Sequence, residues 1–319
     1  KTRFDWSDPR STDHHQVIST NYQKAWEEGR ADVYRACEWG QIRRTYDDPS
    51  GPIVARRSAM VYQGIFVRPD SPINAPINPA NKTVGAQFHQ GSHYTSIAML
   101  EGFMPRDEIK VVHSGTVQER YEAMMDGETD AATLMEPWIS LAEKNGCKEI
   151  IGTHYQGTEN AGEKLNQEVL DALWRAVGKA VELINKDKKK YIHYMLDEIP
   201  EKYAKQLTPD DFYLPRLRYV ETAPYSQEEF ERAYNWMVSW DLVGDDAKSE
   251  ARFSGRRRFD EGVERQDLGL IRDRPDQLQE RFDRMGIVGQ GEGALLRPAR
   301  GFRKFGQTVE SESQIAIDR

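Results

Sequence analysis

Between Thr83 and His154 the chain alternates with a regularity that few folds accommodate. TVGAQF, IKVVHS, DAATLM and KEIIGTH are short β-prone runs, and SHYTSIAMLEGFM, VQERYEAMMDG and PWISLAEKNG are helical segments between them. A strand, a helix and a further strand form a crossover unit, which lays its two strands side by side and parallel. A parallel sheet must be covered on both faces, so its strands are apolar throughout rather than alternating. Residues 82–154 are therefore expected to form an α/β lobe around a buried parallel sheet.

The flanking sequence supplies material for a second lobe. VARRSAMVYQGIFV, from Val54 to Val67, is rich in Val, Ile, Tyr and Phe and ends in RPDSPINAPINP, whose four prolines break it. It is expected to cross between lobes, with residues 1–81 giving the first part of the first lobe and that crossover. Residues 155–247 are expected to return to the first lobe as helices. One carries Leu170, Leu173, Val177 and Val181 at helical spacing, and KKYIHYMLDEIP forms another. A last one starts at the N-cap Ser226 and presents Phe230, Tyr234, Met237 and Val238 on one face. Residues 248–319 are rich in Arg, Asp, Gln and Gly and read as a polar, disordered or loosely helical tail.

Composition removes several function classes. With 44 Lys and Arg against 52 Asp and Glu, the net charge of -8 gathers no phosphate backbone, so nucleic acid is not an expected partner. No apolar run approaches the roughly 18 residues of a membrane span. The two cysteines, Cys37 and Cys147, have no CxxC spacing and imply neither a disulfide framework nor structural zinc, although a bridge between them is left open. Neither a metal nor a cofactor is expected.

GRADVYRACEWGQIRR, VYQGIFVRPDSPI, KTVGAQFHQGSHYTSIAMLEGFMPRDEIKVVHSG and RYEAMMDGETDAATLMEPWISLAEKNG together resemble the solute-binding proteins of nitrate/sulfonate/taurine-type ABC importers, a group with thiamine-pyrimidine-synthase-like members. GRADVY and GETDAATL both place Gly-x-x-Asp before a short strand, a weak internal repeat of the kind two similar lobes give. The resemblance implies an α/β, two-lobed periplasmic-binding-protein type II fold with parallel-type sheets and a hinge. It also implies capture of a small anionic or polar organic ligand in an interlobe cleft, an ABC permease as partner, and a periplasmic or extracellular location. Relative to that family the sequence is expected to start at the second strand, KTRFDW, without the opening one.

The residues themselves offer three candidate constellations. In HQGSHYTS a strand end runs into a helix. Gly91 permits close approach, Ser92 is a good N-cap, and free N–H groups there would attract an anion beside His89, His93 and Tyr94. Glu136 and Trp138 follow a strand, and Glu38 and Trp39 follow another, so two acid–Trp corners could clamp a ligand. His89 and His93 lie four apart across the strand–helix turn, His113 and His154 end strands, and His14 and His15 form a further pair, so an imidazole-lined pocket or a metal site is geometrically conceivable, although no HExxH or CxxC spacing supports a metal. Tyr62 and Thr116 complete the ligand-binding candidates. The alternative is an enzyme on the same scaffold, a desulfinase, decarboxylase or pyrimidine-synthase-like protein acting in the cytoplasm, with Cys37 or His93 as its catalytic group.

Overall fold

A computed structural model of the chain describes residues 26, 28–29, 31–47, 51–162, 165–244 and 294–296. The expected opening segment KTRFDW, His14 and His15 lie outside the described residues, as does all of the 248–319 tail except residues 294–296. Two compact units divide the chain, and it passes between them at 58/59, 156/157, 183/184 and 219/220.

Unit 2, residues 59–156 and 184–219, contains the expected α/β alternation. Strands β3 (Thr83–Ala86), β4 (Lys110–His113) and β5 (Ala131–Leu134) are parallel, with β3 paired to both of the others. Helices α2 (Gly91–Leu100), α3 (Val117–Met125) and α4 (Trp138–Lys144) connect and cover them. The sheet is mixed rather than parallel. β2 (Ile53–Val67) runs antiparallel to β5, with Ile65 opposite Thr133, and β7 (Arg218–Tyr219) is antiparallel to β2. An antiparallel partner suits β2 because the chain enters this unit along it, with no crossover helix before it.

The segment 184–219, expected in the first lobe, belongs to unit 2. Along its short helices α6 (His193–Leu196) and α7 (Glu201–Ala204) and the turns around them, Ile192, Met195, Ile199, Leu207, Phe212 and Leu217 join one core with Phe66, Leu134 and Trp138. Burying an aliphatic or aromatic side chain of this size is worth roughly 1.5–3 kcal/mol, so six such residues decide where the segment packs.

Unit 1 is built on β1 (Val33–Ala36) and the last residues, from 157 on, of β6 (Lys148–Ala161), antiparallel with Val33 opposite Ala161 and Ala36 opposite Thr158. Helix α1 (Glu38–Asp47) follows β1. Helix α5 (Gln167–Lys186) turns Leu170, Trp174, Val177 and Val181 inward, and the first two join Val33, Val54 and Ala161. The last helix, α8 (Gln227–Ser239), starts at Ser226 as its sequence requires, with a capping box in which Ser226 and Glu229 satisfy each other's backbone N–H. A strand that the tail's composition did not signal, β8 (Ala294–Leu296), pairs antiparallel with β1. Both cysteines are free and buried, which closes the question of a bridge.

Candidate ligand site

In unit 2 the site forms at the carboxyl ends of β3, β4 and β5, the edge at which open α/β sheets take ligands. The turn from β3 into α2 contains His89, whose φ of +60° is uncommon for a residue with a side chain. That strain is held by a hydrogen bond from the His89 N–H to His93 Nδ1 at 3.3 Å. The turn consumes its other donors as well. Gln87 N–H donates to Ser92 Oγ, Phe88 N–H to His113 Nδ1 at 3.2 Å, and Gln90 N–H to the Gln87 carbonyl.

Two expectations about this turn therefore change. The N-cap of α2 is Gln90, not Ser92, which lies inside the first turn with its oxygen turned back to accept from Gln87. The loop N–H groups from 87 to 90 are spent on side chains and on the turn itself, so they form no free nest for an anion.

The first turns of α2 are polar yet fully inside the unit. Ser92, His93, Tyr94, Thr95 and Ser96 have no exposed surface. Thr95 Oγ1 lies within hydrogen-bond distance of Gln63 on β2 and, at 2.8 Å, of the Gly91 carbonyl, and Ser96 Oγ contacts Thr133 Oγ1 on β5 at 2.5 Å. Buried hydroxyls are tolerable only when paired in this way, and the network fixes the helix against both strands.

Three of the four candidate histidines are brought together. The rings of His89, His93 and His113 lie 6.3, 4.8 and 5.4 Å from that of Phe88, and His89 and His93 are 5.5 Å apart. Burial pushes the pKa of His93 down to about 3, with His113 adding to the effect, and burial lowers that of His113 too. Among the described residues no group of three or more His, Cys, Asp or Glu could hold a metal ion. Below this cluster the Arg120 guanidinium is wholly buried and donates to the carbonyls of Thr133 and Gly115, at 2.9 and 3.1 Å. A fixed positive charge thus underlies the strand ends.

The remaining candidates go elsewhere. Thr116 caps α3 in a capping box with Glu119, which occupies its hydroxyl. Glu136 is buried and turns back to accept from the N–H and hydroxyl of Ser140, while burial raises its pKa against those bonds. Trp138 packs into the core between Tyr121 and Tyr203, at 5.4 and 4.9 Å, and offers no face to a ligand.

Tyr62 and His154 belong to a separate cluster. The Tyr62 hydroxyl donates to Glu149, its ring meets His154 edge-on at 4.8 Å, and the Arg216 guanidinium lies over it. Gly152 makes this possible, since a Cβ there would stand 2.0 Å from the Tyr62 oxygen. Arg216 also ion-pairs with Glu143 and Glu149 and stands 3.7 Å from Glu136. Sequence reasoning named Tyr62, Glu136 and His154 one by one but not their grouping with Glu143, Glu149 and Arg216, because nothing local marks it.

In unit 1, Glu38 accepts from the Tyr225 hydroxyl at 2.5 Å, and burial raises its pKa to about 7 against that bond. Trp39 packs at a tilt on Trp236, 5.9 Å away. Cys37 Sγ accepts the Gly40 N–H at 3.2 Å, the position of a side-chain cap on α1.

No protein-family model and no curated protein matches the chain. Solved structures do. The periplasmic aliphatic sulphonate binding protein SsuA from Escherichia coli aligns with a TM-score of 0.59 at 15% identity, over 75% of this chain and 85% of that one. The alkanesulfonate-binding protein SsuA from Xanthomonas axonopodis pv. citri, bound to MOPS, gives 0.56 at 14%, over 70% and 80%. A Candida albicans protein described as having the generic periplasmic binding protein structural fold gives 0.57 at 8%, over 74% and 83%. The chain has that fold, as its sequence led one to expect.

Proposed function

We propose that this chain, built on the periplasmic-binding-protein fold, is a solute-binding protein that captures a small anionic or polar organic ligand for an ABC importer. The observation that carries the reading is the strand-end site of unit 2. There the exposed His113 clusters with the imidazoles of His89 and His93 around Phe88, and the buried Arg120 guanidinium is held on carbonyls at the same strand ends, an arrangement suited to an oxygen-rich ligand. Likeness in fold to sulfonate-binding structures supports the same class. A permease partner, a periplasmic or extracellular location and capture by closure of two lobes go with this reading. No helix among the described residues is long and apolar enough to cross a membrane.

Native mass spectrometry of freshly purified protein tests it, because a retained ligand reports its own mass. A small organic acid or sulfonate released on denaturation, and compaction in small-angle scattering when it is added back, are the expected results. A protein that retains nothing and is neither stabilised nor compacted by any small organic acid, sulfonate or polar solute would end the proposal.

A further inference from the structure

His113 was only one of several candidate histidines in the sequence, but its surroundings set it apart. It closes β4 opposite Ala86 of β3, on the carboxyl edge of the parallel strands, and it is exposed, unlike His89 and His93. Its Nδ1 accepts the Phe88 N–H at 3.2 Å, and the Phe88 ring packs 5.4 Å away. A ring nitrogen that accepts a hydrogen bond carries no proton, so a backbone donor on Nδ1 keeps the ring neutral with its proton on Nε2. The same lock recurs at His93, where the donor is the His89 N–H.

We infer that His113 is a ligand-contacting residue of unit 2, whose Nε2–H is a neutral donor to an oxygen of an anionic head group while the buried Arg120 supplies the charge. The ligand class is thus an oxyanion, a carboxylate, sulfonate or phosphate. The inference deepens the solute-binding reading and rests on it.

The charged and titratable groups facing His113 agree with this. From α2 comes His93, held neutral by burial; from α3 come Glu119 and Arg120, of opposite sign. The Glu119 carboxylate is engaged by the Thr116 N–H at 2.7 Å, whereas Arg120 is held by carbonyls. Partial desolvation of its ring, with Arg120 beside it, keeps the His113 pKa below the ordinary histidine value although the residue is exposed, and Glu119 only partly offsets this. Binding should therefore not follow the titration of an ordinary histidine.

The test uses the full chain and titrates butanesulfonate, butyrate and inorganic phosphate by calorimetry. At least one should bind, with an affinity that changes by less than about threefold between pH 8 and pH 6, since the Phe88 N–H on Nδ1 opposes protonation of the ring. His113→Phe, which keeps the ring contact with Phe88 and removes the donor, should weaken that binding by about tenfold or more. His113→Gln can place an amide N–H near the same point and should restore most of it. Long-range proton–nitrogen spectra at pH 7 should show His113 neutral and protonated on Nε2.

Equal binding by His113→Phe, a tenfold gain on acidification, or a His113 doubly protonated or protonated on Nδ1 at pH 7 would each overturn the inference. If no probe binds but native mass spectrometry finds a ligand without an anionic oxygen, the oxyanion class falls and the solute-binding reading stands. If no ligand of any kind is found, both fall.

Discussion

The turn after β1 in unit 1 and the turn after β5 in unit 2 carry the same two letters, a glutamate and a tryptophan, and use them differently. Trp138 is inside its unit between Tyr121 and Tyr203, whereas Trp39 is only half-buried and leans on Trp236. Glu136 bends back onto Ser140 of its own helix, whereas Glu38 reaches Tyr225, 187 positions away. What differs is the surroundings of each indole, since the helix that follows is buried in both cases, over Gln41–Thr45 in α1 as over Ile139–Ala142 in α4. Trp138 is enclosed by Tyr121 and Tyr203, and Trp39 leans on Trp236. An acid and an indole at a strand end thus indicate where a ligand could meet the chain, and the aromatic neighbours of the indole decide whether it is available.

The largest effect that could break this contrast lies in the tryptophans. Trp138→Ala should cost ~3–5 kcal/mol, the usual range for emptying a buried aromatic site, while Trp39→Ala should cost about 1 kcal/mol. Chemical denaturation read by far-UV circular dichroism measures both. Similar losses would show that the two corners are not packed as differently as they look.

A smaller effect comes from protons. Burial leaves Glu38 with a pKa of about 7 against an ordinary 4.5, so the folded state binds a proton that the unfolded state releases in that window. Stability contributed by unit 1 should then fall as pH rises from about 4.5 to 7, by on the order of 2–3 kcal/mol. His93 in unit 2 works the other way. Its pKa lies near 3 against 6.5, the unfolded state binds the extra proton, and stability falls as pH drops through that window. Hydrogen exchange at pH 5 and pH 7 should show β1 and α1 better protected at the lower value and β3 and α2 at the higher. Glu38→Gln should abolish the first trend and leave the second; parallel responses in the two units would contradict both assignments.

The acids' partners should matter less again. Ser140→Ala removes one of the two donors to Glu136, and Tyr225→Phe removes the hydroxyl that holds Glu38. Each should cost about 1–2 kcal/mol, as expected when a buried carboxyl loses one hydrogen bond. Only Tyr225→Phe should push the Glu38 pKa further up, because its hydrogen bond opposes the effect of burial. Carboxyl chemical shifts followed by NMR across the titration distinguish the two variants.

How far the sequence reaches can be seen in particular residues. The parallel strands were legible because alternating strand and helix periods over 82–154 admit few topologies, and Ser226 was legible because Ser-x-x-Glu states its own capping chemistry. The grouping of His89, His93 and His113 followed from placing His89 and His93 on one strand–helix turn and His113 at the end of a neighbouring strand, whereas His154, expected beside them, joins Tyr62 and Arg216. Residues 184–219 were misplaced for a physical reason: a periodic apolar face says that a helix must be buried, not which core will bury it. Ser92 looked like a cap by residue type, yet its oxygen turned inward to Gln87, a competition between partners that no spacing records. The Arg216 cluster joins positions 62, 136, 143, 149 and 216, and only the fold brings them together.

The smallest effect concerns Cys37, and it tests whether the turn of unit 1 is a cap or a reactive centre. Its sulfur accepts the N–H of Gly40, the third residue of α1, which is the bond an N-cap side chain makes. A thiol is a poor acceptor, so a hydroxyl at the same place should serve at least as well. Cys37→Ser should therefore leave stability within about 0.5 kcal/mol of wild type or raise it, and Cys37→Ala should lose about 0.5–1 kcal/mol with the cap. Neither change should alter ligand affinity by more than a few-fold, because sulfur buried at 2% exposure and bonded to its own helix has no reach to a ligand. Midpoints of denaturant unfolding and calorimetric titration of the three variants provide the comparison. A thiolate nucleophile would behave differently: Cys37→Ser would keep binding and lose any turnover of a sulfinate or aromatic carboxylate, and a turnover that vanishes in this way would make the turn a reactive centre instead of a cap.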